Sequence, residues 1–251
     1  MLKKRVIPLM LFSEGRLRKT VQFSGHRDVG SPISSARIYS DQDADELILL
    51  NIGGPVALND DFIAVVSEIS KICFTPLSVG GGLMTFQAVQ KLFRAGADKV
   101  VFNSAAFSDT SVIARASETF GEQAVVLGID LIKEEGEYLL FSNRGSVREH
   151  LDLKQHIRNA EELGIGEIFI QSIDRDGMMQ GYDLELLRYV LSLTKKPIIF
   201  AGGAGDFSHL VDAFAEGASA VACGSLFNFG DNSPLRAKSF LKNHDIPVKK
   251  I

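Results

Sequence analysis

The chain contains one long internal repeat. Glu46-Leu47-Ile48-Leu49-Leu50-Asn51-Ile52 resembles Glu167-Ile168-Phe169-Ile170-Gln171-Ser172-Ile173, and 167 − 46 = 121. At that same offset of 121, Gly82 falls on Gly203, Phe86 on Phe207, Phe93 on Phe214, Gly96-Ala97 on Gly217-Ala218 and Ser104 on Ser225. Solenoid repeats have periods of about 20–50 residues, so this repeat is half of one domain, duplicated. The two halves must therefore fold alike and pack as near equivalents.

Each half reads as four strand–helix units. Short apolar runs, expected as buried strands, lie at Arg5–Leu11, Glu46–Ile52, Leu77–Gly81, Lys99–Asn103, Ala124–Asp130, Glu167–Ile173, Pro197–Ala201 and Ala220–Gly224. Helical periodicity fills the intervals at Ile33–Asp43, Asp60–Lys71, Thr85–Ala95, Ser111–Phe120, Leu153–Leu163, Leu184–Leu193, Phe207–Glu216 and Pro234–Lys242, with Asp183 placed to cap the sixth. Strict alternation of apolar strands with helices predicts a parallel sheet covered on both faces. Eight units in 251 residues match a single α/β (β/α)₈ TIM barrel spanning residues 1–251 and built from two similar half-barrels. Two connections are longer than the rest. Phe12–Pro32 reads as a cation-rich loop carrying Arg16, Arg18, Lys19, His26 and Arg27, and Leu131–Asp152 includes a hairpin arm at Glu137–Phe141. Both would stand at the C-terminal mouth, where they could cover an anionic ligand.

Composition excludes several classes. A net charge of −4 leaves no electrostatic footprint for nucleic acid or an anionic membrane, and no apolar run reaches the 18 residues a spanning helix needs. Cys73 and Cys223, far apart and in apolar company, read as buried free thiols in a reducing cytoplasm. The five histidines lack ligand spacing, so neither a metal nor a cofactor is expected.

Three sets of residues carry chemistry. Gly80-Gly81-Gly82 and Gly202-Gly203 end strands three and seven, and Asn103-Ser104 and Gly224-Ser225 end strands four and eight. Glycine lets backbone N–H groups approach a phosphate. Taken singly, each could be a plain turn former, but their pairing by the duplication predicts a ligand phosphorylated at both ends. Asp130 closes the apolar run Val125–Ile129 and so belongs at the mouth, where a general acid/base is expected. Closing the longer second-half loop by two residues brings Asp130 onto Leu11, and Asn51 is an amide, so a paired-carboxylate mechanism is not supported. Finally, Arg5, Glu46, Lys99 and Glu167 each stand at the start of a strand, which predicts a mutually neutralising ring at the closed bottom of the barrel. That ring could serve stability alone, or it could act as a gate.

Together these residues resemble the HisF family, the cyclase subunit of imidazole glycerol phosphate synthase in histidine biosynthesis. The resemblance runs nearly end to end, with Ser172-Ile173-Asp174-Arg175-Asp176-Gly177 and Gly181-Tyr182-Asp183 as its most specific stretch. It implies a glutaminase partner (HisH-like) docked at the barrel bottom, with ammonia passing through the barrel to a phosphorylated small-molecule ligand at the mouth. On this likeness Arg5, Glu46, Lys99 and Glu167 match the ammonia gate, and Asp98 matches the docking aspartate. Gly82, Asn103 and Ser104 match one phosphate site; Asp176, Gly177, Gly203, Gly224 and Ser225 match the other; Lys19 matches a lysine over the substrate. Of the family's two catalytic aspartates, Asp130 matches one and Leu11 replaces the other, while Asn51 and Gln171 replace further mouth residues. An intact gate beneath an altered mouth is similar to the WbuZ-type paralogues associated with amidation of surface-polysaccharide sugars. That likeness implies ammonia supply to a separate sugar amidotransferase. The alternatives are an authentic histidine-pathway cyclase with an impaired acid/base pair and a ligand-binding barrel with no ammonia role.

Overall fold

The computed structural model describes residues 3–56, 59–229 and 231–249. In its first half the chain runs β1 (Arg5–Ser13), β2 (Arg16–Val21), β3 (Ser24–Gly30), α1 (Pro32–Asp41), β4 (Leu47–Asn51), α2 (Asp60–Ile72), β5 (Leu77–Gly80), α3 (Phe86–Arg94), β6 (Lys99–Phe102) and α4 (Ser111–Phe120). It continues through β7 (Val125–Glu134), β8 (Glu137–Ser142), β9 (Val147–Arg148), α5 (Leu153–Glu162), β10 (Glu167–Ser172), α6 (Leu184–Leu193), β11 (Ile198–Ala201), α7 (Phe207–Glu216), β12 (Ala220–Cys223), α8 (Ser225–Asn228) and α9 (Pro234–Lys242). Strands β1, β4, β5, β6, β7, β10, β11 and β12 pair in that order, all parallel, and β12 returns to β1. This closed ring with its outer helices is a (β/α)₈ barrel.

The helices start where the sequence can satisfy their free N–H groups. Asn59, Thr85, Asp152 and Asp183 each accept a hydrogen bond from a backbone N–H in the first turn of α2, α3, α5 and α6. Each helix then buries one apolar stripe against the outside of the sheet, as Leu186, Leu187 and Val190 do from α6. A second, smaller core fills the barrel interior, with Ile7, Leu9, Ile48, Val126, Phe169 and Ile199 among its members. Burial on both faces is why these strands are continuously apolar.

The Phe12–Pro32 segment, expected as a loop, is instead the β2–β3 hairpin. Its cations hid the strand, since Lys19 turns inward with Leu17 while Arg16 stays exposed and Arg18 half-buried, and a register shift after Lys19 brings Thr20 inward as well. The hairpin repeats in the second half as β8–β9. The turn Glu14-Gly15 recurs at Glu135-Gly136, and Gln22-Phe23 at Asn143-Arg144, all eight residues with positive φ or within that left-handed turn geometry, each displaced by 143 − 22 = 121.

The duplicated glycines meet the same partner in each half. A Cβ on Gly81 would collide with the Asn51 carbonyl, and one on Gly202 with the Ser172 carbonyl, again 121 residues on. Both glycines also hold positive φ, +88° and +95°. Packing of one βα loop onto its neighbour is therefore enough to require glycine there.

Among the described residues, one buried side-chain polar atom is left without a partner. His156 on α5 stacks on Phe107 with ring centroids 4.2 Å apart, and its Nε2 has no partner. Burial pulls its pKa down to about 4. An unfolded imidazole takes up its proton near 6.5, so folding stability falls as pH drops from there towards 4.

Two predictions follow from these contacts. Gly81→Ala and Gly202→Ala should each cost more than about 2 kcal/mol in urea denaturation, whereas Gly136→Ala, also at positive φ but in open space, should cost about 1 kcal/mol. His156→Phe should flatten the loss of stability between pH 6.5 and 4, which in the wild type amounts to up to about 3 kcal/mol; denaturant midpoints across that range measure it.

Candidate active site and the charged ring beneath it

The barrel's two ends carry different chemistry. At the N-terminal end, the starts of β1, β6 and β10 and the residue before β4 bring Arg5, Lys99, Glu167 and Glu46 into one closed ring. Arg5 donates to Glu46 Oε2 at 2.7 Å and to Glu167 Oε1 at 2.5 Å, while Lys99 Nζ donates to the same two carboxylates at 3.0 and 2.7 Å. Ser78 Oγ adds a bond of 2.6 Å to Glu46 Oε1. Burial pushes the Glu167 carboxyl up, but the charges of Arg5 and Lys99 and their hydrogen bonds outweigh it, and the net shift is downward. Glu167 is therefore ionised at neutral pH. The ring's four members are the ones expected from the strand starts.

Asp98 stands beside this ring on the same end, exposed. Its backbone N–H donates to the Leu77 carbonyl, and its carboxylate accepts the Leu77 N–H at 2.8 Å. In the turn between α2 and β5, also at this end, Phe74 is 98% exposed. Sequence reading passed over Phe74, although an aromatic residue between a helix end and Thr75-Pro76 was a signal. Close by, Lys238 of α9 is completely buried and donates to Asp43 and Asp45, and Asp45 in turn accepts the Val6 N–H. These bonds tie the last helix to the first strand.

At the C-terminal mouth the candidate ligand residues separate into two unequal cavities. The larger, about 490 Å³, is lined by Gly82, Asn103, Ser104 and Asp130 from the sequence-derived set. Leu11, Leu50, Ile52, Phe23 and Phe169 give it apolar walls. The smaller holds Lys19, Asp176, Gly177, Gly203, Gly224 and Ser225, and encloses about 20 Å³. Pairing by duplication suggested two like cradles; the geometry makes them unlike.

Lys19 explains the difference. It sits on β2, almost wholly buried, and donates to Asp176 Oδ1 at 2.9 Å and to the Thr20 carbonyl at 2.7 Å. Asp176 also accepts from Thr20 Oγ1 at 2.7 Å and from the Phe23 N–H at 3.4 Å. The β2–β3 hairpin is thereby latched onto the loop after β10, and the lysine stem lies over Gly224. Thr20 and Phe23 were missed from sequence because their partner lies more than 150 residues away.

Asp130 faces the larger cavity. Burial, followed by the negative charge of Asp176, raises its pKa to about 7. Asn103 Nδ2 donates to its Oδ2 at 3.2 Å. A carboxyl poised near neutrality can both give and take a proton at physiological pH. In register, Asp130 pairs with Gln171, and Leu11 pairs with Leu50, the residue 171 − 50 = 121 positions earlier. Leu11 thus occupies in β1 the place that Asp130 occupies in β7. Asn51 turns its amide to its own loop, donating to the Gly54 carbonyl at 2.7 Å and accepting the Gly53 N–H at 3.0 Å.

Cys223 lines the smaller cavity, bonded to Tyr182 Oη at 3.3 Å, and burial pushes its thiol up to about 12, so it is no nucleophile at neutral pH. Cys73 is likewise buried and free. Among the described residues no group of three or more His, Cys, Asp or Glu could hold a metal ion.

A duplicated (β/α)₈ barrel with a titrating carboxyl and glycine-rich loops at its mouth, and a charged ring at its base, has the architecture of a barrel enzyme. A family model described as "Histidine biosynthesis protein" matches residues 5–233. The imidazole glycerol phosphate synthase subunit HisF of Chlorobaculum parvum (strain DSM 263 / NCIMB 8327) is 38% identical over 250 residues, covering 99% of this chain and 100% of the relative. The proteins of that name from Thermotoga sp. (strain RQ2) and Dehalococcoides mccartyi (strain ATCC BAA-2100 / JCM 16839 / KCTC 5957 / BAV1) are 37% and 41% identical, each covering 99% of this chain and 98% and 99% of the relative. The chain belongs to the HisF family of histidine biosynthesis proteins.

Because the Asp176 charge is the second cause of the raised Asp130 pKa, Asp176→Asn should lower the Asp130 midpoint while leaving it above an ordinary aspartate, since burial remains. Carboxyl carbon NMR titration of the two proteins measures it directly.

Proposed function

We propose that this chain is the cyclase-type subunit of an imidazole glycerol phosphate synthase. It would be a cytoplasmic enzyme of one barrel domain that receives ammonia from a separate glutaminase and uses it on a phosphorylated ligand at its mouth. The observation that carries this reading is the fully bonded ring of Arg5, Glu46, Lys99 and Glu167 under an apolar barrel interior, with Asp130 at the far end. The relatives' names describe a synthase subunit of this kind. Phe74 and Asp98, exposed beside the ring, offer a partner one apolar and one acidic contact.

The physical logic runs along the barrel axis. Neutral ammonia can enter an apolar column, whereas ammonium would lose its hydration and is held back. Passage requires one cation of the ring to swing aside. Lys99, a flexible stem with a single charged tip, can do this at less cost than Arg5, whose planar fork bridges both carboxylates. At the mouth, Asp130 removes a proton from the nitrogen after it attacks and can return one to a departing oxygen. The ligand's phosphates would rest on Gly82, Asn103 and Ser104 at one end and on Gly177, Gly203, Gly224 and Ser225 at the other, the second end opening only when Lys19 exchanges Asp176 for phosphate.

A second reading is favoured by Leu11. With leucine opposite Asp130 and Leu50 and Ile52 beside it, the mouth lacks a second titrating group on that wall. In this reading the chain conducts ammonia to a separate amidotransferase acting on a surface-polysaccharide sugar. Losing one of two acid/base groups costs on the order of 10²–10⁴-fold in rate, so any cyclase activity should be slow.

Incubating the purified chain with the histidine-pathway bisphosphate substrate and free ammonia isolates the mouth from any partner. Slow turnover that Leu11→Asp accelerates by at least about 10²-fold is the expected result. Binding without turnover in both proteins would overturn the cyclase reading and leave the conduit. In the complex with a glutaminase, Lys99→Ala should change the fraction of glutamine-derived ammonia that reaches product, and an unchanged fraction would sink the gating role.

A further inference from the structure

We propose that Arg144 is the cation that holds the anionic end of the ligand in the larger mouth cavity. The inference rests on the reading above that this mouth takes a phosphorylated ligand. Gly82, Asn103 and Ser104 supply only neutral donors, and an arginine would add bidentate, charge-assisted bonds to a phosphate held there. Among the described residues lining that cavity, Arg144 is the one arginine or lysine.

Its placement is fixed from both sides. Arg144 lies in the left-handed turn between β8 and β9, with φ of +63°. The preceding residue, Asn143, donates its N–H to Ser104 Oγ at 3.1 Å. The following residue, Gly145, packs against Phe23 and Ile173. From this turn the side chain crosses the mouth, and Nη1 donates to the Ile52 carbonyl at 2.7 Å. Ile52 leads into Gly54 and Pro55, the backbone on which Gly82 packs. The Arg144 side chain therefore starts beside the Ser104 wall and ends at Ile52, next to the backbone on which Gly82 packs.

Its chemistry suits the task. Guanidinium has five N–H donors in a planar fork that matches two phosphate oxygens, and the Ile52 carbonyl engages one nitrogen. The side chain is exposed, so its charge is held without a desolvation cost before ligand arrives. Lys19 is the contrast: it is buried and its ammonium is already committed to Asp176 and the Thr20 carbonyl. Sequence reasoning placed the ligand's cation in the first long connection because most cations lie there. Among the described residues lining the larger cavity, the arginine comes from the second.

Calorimetric titration of the full chain with inorganic phosphate and with ribose 5-phosphate tests this. Arg144→Gln should weaken both at least 10-fold and flatten the dependence of affinity on salt, with Arg144→Lys in between because it keeps the charge and loses the fork. Arg148→Gln, on the same hairpin but outside the cavity, is the control for general charge, and unchanged thermal midpoints exclude misfolding. Phosphate binding by the wild type that Arg144→Gln leaves unchanged would overturn this inference alone, as would a loss confined to Lys19→Gln. Failure of the wild type to bind either probe would overturn it together with the phosphorylated-ligand reading.

Discussion

Four charges share the narrow end of the barrel, and their mutual pairing is the interaction on which the rest of the structure depends. Arg5, Glu46, Lys99 and Glu167 lie in one layer, and removing any of them would leave an uncompensated charge at the base of the core. Buried pairs seldom add net stability over apolar packing, whereas breaking one typically costs about 3–5 kcal/mol. A ring of this kind is thus a poor way to gain stability.

At the other end the two halves have diverged. Both keep the glycine-on-carbonyl crossing that packs one loop onto the next, and both keep the left-handed hairpin turns. They differ in side chains: Lys19 and Asp176 close one cavity, while Asp130, Arg144 and a set of aliphatic residues line the other. Symmetry of backbone with asymmetry of charge gives the mouth a direction. A ligand entering it meets one end that is already ion-paired and one that is not.

Legibility in the sequence followed the physics of each element. Helices α4, α6, α7 and α9 have the bounds that their periodicity predicts, because an apolar stripe is a local signal, and Asp183 caps α6 as expected. The charged ring was legible because each member heads an apolar run. The β2–β3 hairpin was not, since Arg16, Arg18 and Lys19 mask its alternation. The glycines were visible but underdetermined: Gly81 and Gly202 answer to a backbone crossing that no local pattern reveals. Lys19 was identified by resemblance as a ligand lysine, yet its partner Asp176 lies 157 residues away and only the fold brings them together. Arg144 escaped notice because motifs were sought at strand ends. The offset of 121 sets it on Phe23, which the sequence had not marked either.

The two hairpins leave the barrel at different heights. From Leu11 to the turn at Glu14 is 14 − 11 = 3 residues, and from Asp130 to the turn at Glu135 is 135 − 130 = 5. The second arm is longer by two residues, and along a strand two is one full period of side-chain direction. Parity is therefore conserved: every residue of the longer arm keeps the face it would have had in the shorter one. A change of one residue would instead turn the arm inside out, presenting the solvent-facing side chains of β7 and β8 to the cavity. A change in this arm's length that keeps its faces therefore comes in even steps, each adding about 7 Å of reach over the mouth.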